Sequence, residues 1–167
     1  MRVAILTVSD AGSRGERIDT GGEAVAGAIV GAGGEVVARG IVPDEHAAIA
    51  ATLSAWCDGG GIDLILTTGG TGLSARDVTP EAVRSIADRD VPGIAEAMRA
   101  EGLRQTPRAM LSRSVAVVRR ATLIVTLPGS EKGARESLGA IIGVLPHAVE
   151  LLRGVTEHGT GDSSAVT

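Results

Sequence analysis

Apolar residues follow two alternating rhythms along this chain. Short, nearly unbroken runs rich in β-branched residues occur at 3–8, 36–42, 62–67, 115–118 and 123–127. Each is too short for an ordinary helix, and together they predict five strands. Between them, Val25, Ile29 and Ala32 repeat at i, i+4, i+7, as do Ile49, Leu53 and Trp56, which is the spacing of one helix face. Gly33-Gly34 supplies a C-cap for the first of these helices. Thr79-Pro80 reads as a helix start, with threonine as cap and proline in the first helical position. A further helix is expected from Gly93 to about Leu103, and 105–114 reads as loop. The last helix carries Leu138, Ile141, Ile142, Leu145, Val149 and Leu152 on one stripe, and Pro146 should bend it.

Strands that are apolar on every position need cover on both faces, so the pattern predicts an α/β fold, a three-layer α-β-α sandwich around a mostly parallel sheet. In such sheets ligands bind in the loops after the carboxyl ends of the strands. Residues 1–154 are expected to form one domain. Residues 155–167 are too polar and glycine-rich to bury anything, and a disordered tail is expected there.

Composition removes several classes of function. The net charge is −4, basic residues are scattered, and Trp56 is the only aromatic residue. Neither a phosphate-tracking basic stripe nor a set of stacking rings is present, so nucleic acid is not an expected partner. Cys57 is the only cysteine, and His46, His147 and His158 show no metal-ligand spacing, so neither a disulfide nor a structural zinc is expected. Cys57 and Trp56 read as core, His46 and His147 as helix surface. No run approaches membrane-spanning length and the N-terminus does not read as a signal peptide, which makes the cytoplasm the expected compartment.

The candidate chemistry lies in the loops. Thr68-Gly69-Gly70-Thr71-Gly72 follows the third strand directly, where glycines free backbone N–H groups to form an anion-binding nest and threonine hydroxyls add donors. A simple tight turn is the alternative. No Gly-Lys-Ser/Thr follows, so the segment is not a P-loop. Gly70, Gly72 and Ala75 match a dinucleotide fingerprint, but Arg76-Asp77-Val78 intervene before the helix start, so that match reads as accidental. Asp77 would either share a hard cation such as Mg²⁺ with bound phosphate or interact with the helix dipole. Asp44 reads as a metal or ribose contact, or as the N-cap of the next helix, and from the residues alone the cap is the better reading. Ser9, Asp10 and Asp19 fall in the loop after the first strand. Gly129, Ser130 and Lys132 open the last helix, where free N–H groups and a point charge favour an anion.

Taken together, Val8-Ser9-Asp10, Pro43-Asp44, Thr68-Gly69-Gly70-Thr71-Gly72, Arg76-Asp77-Val78-Thr79-Pro80, Leu111-Ser112-Arg113 and Leu127-Pro128-Gly129-Ser130 resemble the molybdopterin adenylyltransferase family of Mog and MoaB proteins. The resemblance runs from Val3 to about Gly154. It implies transfer of AMP from Mg²⁺-ATP to molybdopterin with release of pyrophosphate, with Asp44 and Asp77 tied to the metal and catalysis. Ser9, Asp10, Asp19, Thr68, Gly69, Gly70, Thr71, Gly72, Gly129, Ser130 and Lys132 become the expected substrate contacts. It also implies a homotrimer that can assemble further, and a molybdenum-insertion protein as partner. The resemblance overturns the cap-only reading of Asp44, since one carboxylate oxygen can cap while the other faces ligand. Arg76-Asp77 resembles the Mog side of the family. The rival expectation is a non-catalytic molybdopterin carrier or scaffold of the MoaB type.

Overall fold

The structure is a computed structural model and describes residues 1–154. The expected tail, with His158, lies outside the described residues. Six strands form one sheet: β1 (Arg2–Val8), β2 (Glu35–Val42), β3 (Leu64–Thr68), β4 (Arg89–Asp90), β5 (Ala116–Arg119) and β6 (Thr122–Leu127), in the order β2-β1-β3-β6-β5-β4. The pairs β2/β1, β1/β3 and β3/β6 are parallel, while β5 runs antiparallel to β6 and β4 antiparallel to β5. The two-residue β4 carries no apolar pattern of its own and went unpredicted, because its pairing with Val117 and Val118 is a long-range event.

Side-chain alternation explains why the strands read as continuous apolar runs. On β1, Val3 and Ile5 face one core while Ala4, Leu6 and Val8 face the other; on β3, Leu64 and Leu66 oppose Ile65 in the same way. The first core is covered by α2 (Thr20–Gly31), α5 (Pro92–Gln105), α6 (Glu131–Ile141) and α7 (Leu145–Leu152). The second is covered by α3 (His46–Asp58) and α4 (Thr79–Ser85). A short helix, α1 (Asp10–Ser13), follows β1. The expected three-layer sandwich is therefore present.

Three local expectations are corrected. The single bent last helix is two helices, broken at Ile142-Gly143-Val144, and Pro146 sits in the first turn of α7, where its missing N–H costs nothing. The segment expected to be loop contains a 3₁₀ turn, Pro107–Leu111, capped by Thr106. Thr79 does not cap α4: Val78 holds that position, and the Thr79 hydroxyl donates instead to the Gly69 carbonyl at 2.9 Å.

The strand order locates the site. From β1 the chain crosses through α2 to β2 on one side, then returns through α3 to β3 on the other. The reversal point lies between β1 and β3, and the loops leaving their carboxyl ends separate around a crevice there.

Candidate functional site

The glycine loop begins where β3 ends, and its shape excludes side chains at two positions. Gly69 has φ +105° and Gly70 φ +64°, in the left-handed region. A Cβ on Gly69 would stand 2.3 Å from the Val8 carbonyl oxygen, and one on Gly70 2.3 Å from Thr79 Oγ1. Gly69 N–H donates to the Leu127 carbonyl, and Thr79 N–H donates to the Gly70 carbonyl. The N–H groups of Gly70, Thr71 and Gly72 donate to no group among the described residues, which leaves them available to an anion.

Arg113, just before β5, holds this loop from outside. Its backbone N–H donates to Thr71 O at 2.9 Å. Its guanidinium donates to Gly72 O at 2.7 Å, to the Asp77 carbonyl and to the Glu81 carboxylate. Arg113 was legible only as part of a motif, because nothing local distinguishes it from the other arginines of 105–120.

Two cavities lie near these strand ends, and only the first is lined by residues of the loop. One of about 320 Å³ lies between Thr71, Gly72 and Ser130, the α5 residues Met98 and Arg99, and Leu111 and Ser112 of the 3₁₀ segment. Its size falls within the usual range for small-molecule sites. Ser130 caps α6, accepting from Gly133 N–H at 3.1 Å, so the start of a regular helix opens onto this cavity. The other, of about 50 Å³, is lined by Thr7, Ser9, Asp19, Gly21 and Gly129. Thr68 lines neither cavity, and its hydroxyl donates to Pro128 O at 2.8 Å. Asp19 is the N-cap of α2, accepting from Gly22 N–H at 2.8 Å with one oxygen and from the Thr7 hydroxyl at 2.8 Å with the other. Ser9 caps α1.

A third group stands at the ends of β1 and β2. Asp10 N–H donates to Asp44 Oδ2 at 2.8 Å and Asp44 N–H donates to Asp10 Oδ1 at 3.0 Å, so the two loops are tied by a reciprocal exchange. Asp44 therefore does not cap α3; Glu45 occupies that position and makes no side-chain cap bond. The free Asp44 Oδ1 faces the glycine loop, 3.3 Å from where a Cβ of Gly70 would be. Burial holds the Asp44 carboxyl above its ordinary pKa, and the charges of Asp10 and Asp77 add to the effect. Asp10 lies below its ordinary value because the Arg76 guanidinium hydrogen-bonds it. Asp77 turns back to accept from Ser74 N–H at 2.8 Å.

Asp10, Asp44 and Asp77 line neither cavity but stand together beside the glycine loop, whereas Lys132 is not brought in. Its side chain is 80% exposed, its ammonium is 3.7 Å from Glu136 one turn along α6, and it lines neither cavity. Arg76, quoted only as part of a motif, is at the centre of the carboxylate group. No three His, Cys, Asp or Glu side chains among the described residues form a cluster able to cage a metal. One or two carboxylates beside an anion nest nevertheless fit Mg²⁺, which is commonly held by that number of carboxylates together with substrate phosphates.

Residues 4–147 match the sequence family described as a probable molybdopterin binding domain. The chain belongs to this family. Among curated relatives, molybdopterin adenylyltransferase of Helicobacter pylori is 36% identical over 92% of this chain and 89% of its own length. The enzyme of the same name from Escherichia coli is 37% identical over 92% of this chain and 86% of its own. Gephyrin of Dictyostelium discoideum is 41% identical, but the match spans 22% of that longer protein. Among solved structures, the molybdopterin biosynthesis enzyme MoaB of Thermus thermophilus is 59% identical with a TM-score of 0.87, covering 92% of this chain and 96% of that one. A MogA structure is 37% identical with a TM-score of 0.86, covering 91% and 99%.

Members of the molybdopterin-binding family are thus similar to this chain over nearly all of its described length, so the whole site lies within the match. Another polar group lies at the opposite, amino-terminal end of the central strands. Asp63, at the start of β3, accepts from Arg2 N–H at 2.6 Å and from both ends of the Arg153 guanidinium. Burial pushes the Cys57 thiol up to about 11, in keeping with its reading as core. Among the described residues no helix is long and apolar enough to cross a membrane.

Proposed function

We propose that this chain transfers the adenylyl group of Mg²⁺-ATP to molybdopterin and releases pyrophosphate. The observation that carries the reading is the glycine loop: its unpaired N–H groups lie at a cavity of small-molecule size lined by Thr71 and Gly72, with the Asp44 carboxylate against Gly70. An adenylyltransferase needs two phosphorylated substrates brought end to end, and an anion nest beside a cavity, with carboxylates at its edge, suits that arrangement. The larger cavity, with the α6 N-terminus at its wall, suits molybdopterin. The smaller one, beside Ser9, Asp19 and Gly129, suits part of the nucleotide.

In this reading a phosphate oxygen of molybdopterin attacks the α-phosphorus of ATP, and the bond from that phosphorus to the bridging oxygen breaks as pyrophosphate leaves. A phosphate monoester has a second pKa of about 6 and is largely dianionic at neutral pH, so no strong general base is required. The N–H groups of Gly70, Thr71 and Gly72 hold phosphate oxygens and align the two reactants. Asp44 and Asp77 would hold Mg²⁺, which would supply charge neutralisation on the departing pyrophosphate. Ser9, Asp10, Asp19 and Gly129 shape the nucleotide side, and Thr68, Thr71 and Ser130 the pterin side. Lys132 contributes only if the α6 N-terminal turn reorients its side chain toward pyrophosphate. The working form is proposed to be a homotrimer in the cytoplasm, its product being passed to a molybdenum-inserting protein.

Single-turnover release of pyrophosphate from Mg²⁺-ATP with molybdopterin tests the proposal, comparing wild type with Asp44→Asn and Asp77→Asn. Turnover in the wild type, lost in the variants while molybdopterin binding persists, supports it. The rival reading is a non-catalytic molybdopterin carrier. Tight molybdopterin binding without wild-type turnover would select that reading.

A further inference from the structure

Asp10 and Asp44 present two carboxylates to a site meant for a polyanion, and the charge that offsets them here is a side chain. Arg76 donates from Nε to Asp10 Oδ2 at 3.1 Å and from Nη2 to Oδ1 at 2.7 Å and Oδ2 at 2.8 Å. It is also the one cation whose charge lowers the Asp44 pKa. The other arginine near Asp10, Arg14, is paired with Glu16 through two hydrogen bonds. Arg76 therefore occupies the position of counter-ion to this carboxylate pair.

The tether is weak by construction. The Arg76 side chain is 58% exposed, and an ion pair so open to water is readily exchanged. Its stem sits in the same loop as the nest, between Gly72 and Asp77. Arginine's planar fork suits phosphate oxygens as well as it suits a carboxylate.

We propose that Arg76 is an exchangeable counter-ion: without nucleotide it offsets one charge of the Asp10–Asp44 pair, and when a divalent cation is bound with its nucleotide at Asp44 and Asp77, Arg76 leaves Asp10 for the phosphate chain. The exchange keeps a positive charge beside the carboxylates in both states and makes them a poor site for free cation. Cation and nucleotide are then bound together, in preference to either alone. This inference rests on the adenylyl-transfer reading, because it presupposes a metal-nucleotide substrate.

Electron paramagnetic resonance of Mn²⁺ tests it on the full chain, with wild type, Arg76→Gln and Arg76→Lys, each checked for an unchanged thermal midpoint. With Mn²⁺ alone, Arg76→Gln should bind roughly fivefold more tightly than wild type, the effect of removing a unit charge about 4 Å away in a water-screened site. With Mn²⁺-ATP the same variant should bind roughly tenfold more weakly, having lost charge-assisted bonds to phosphate. Arg76→Lys should lie between on both measures. Opposite signs are the signature, since a merely structural arginine would move both affinities the same way or neither. Changes of the same sign, or within twofold in both, overturn the exchange and leave the adenylyl-transfer reading standing. A wild type that binds Mn²⁺-ATP no better than Mn²⁺ alone overturns both.

Discussion

Asp10 and Asp44 each accept the other's backbone N–H through a side-chain oxygen, at 3.0 and 2.8 Å, and so lock the loops after β1 and β2 into one unit. Neither carboxylate is a free surface charge. Asp44→Ala therefore removes a loop tether as well as the oxygen proposed to hold the cation, whereas Asp44→Asn keeps an acceptor for Asp10 N–H. Asp44→Asn is expected to melt within a few degrees of wild type and Asp44→Ala clearly below it, as differential scanning fluorimetry would show.

Gly69 admits no Cβ. Gly69→Ala must either move the Val8 carbonyl or abandon φ +105°, at a cost of roughly 1–3 kcal/mol. The expected result is a lowered urea midpoint together with loss of phosphate-dependent stabilisation, because the nest N–H groups move with the loop. Unchanged stability would show that the turn accommodates a side chain.

Arg113→Lys keeps the charge but not the fork that reaches Gly72 O, Asp77 O and Glu81 at once. It should cost roughly 1–2 kcal/mol, discounted for partial exposure. Amide exchange should accelerate through residues 70–78 and remain as in wild type through β1 and β6, by hydrogen-exchange mass spectrometry.

Asp63 gives the fold an acid limit. Burial raises its pKa, but the Arg2 N–H and the Arg153 guanidinium more than offset this, and the net value lies below the ordinary one. A carboxyl with a depressed folded pKa stabilises the protein above its unfolded value, roughly 3.9, and that contribution is lost as pH falls through the folded value. Thermal melts taken between about pH 5 and pH 2 should therefore fall more steeply for wild type than for Asp63→Asn. At neutral pH the variant should be less stable by roughly 1–2 kcal/mol.

Thr67 is fully buried and its Oγ1 has no hydrogen-bond partner, the one such side-chain atom among the described residues. An unpaired buried hydroxyl stabilises nothing, so Thr67→Val should be neutral or stabilising by up to about 1 kcal/mol, measured by chemical denaturation. A loss of stability would reveal a partner such as an ordered water.

By itself the sequence determined the elements and their class. Runs of β-branched residues and i, i+4 apolar spacing are local signals, and they located five of the six strands, α2 to α5 and the glycine loop within a few residues, while α1 was missed and α6 and α7 read as one helix. Motif order was enough to identify the family and to point at Asp10, Asp44 and Asp77. Tertiary structure alone decided what those residues touch. Asp44 turned from a helix cap into the partner of Asp10, Thr79 from a cap into a brace for Gly69, and Arg76 and Arg113 emerged as the charges that hold the loops. Lys132, by contrast, was left on the surface of α6. The reason is one of distance along the chain: helix and strand periods are written in neighbouring residues. Contacts such as Asp10 with Asp44 and Arg76 join segments 34 and 66 residues apart, and they exist only once the β2-β1-β3 order sets those strand ends side by side.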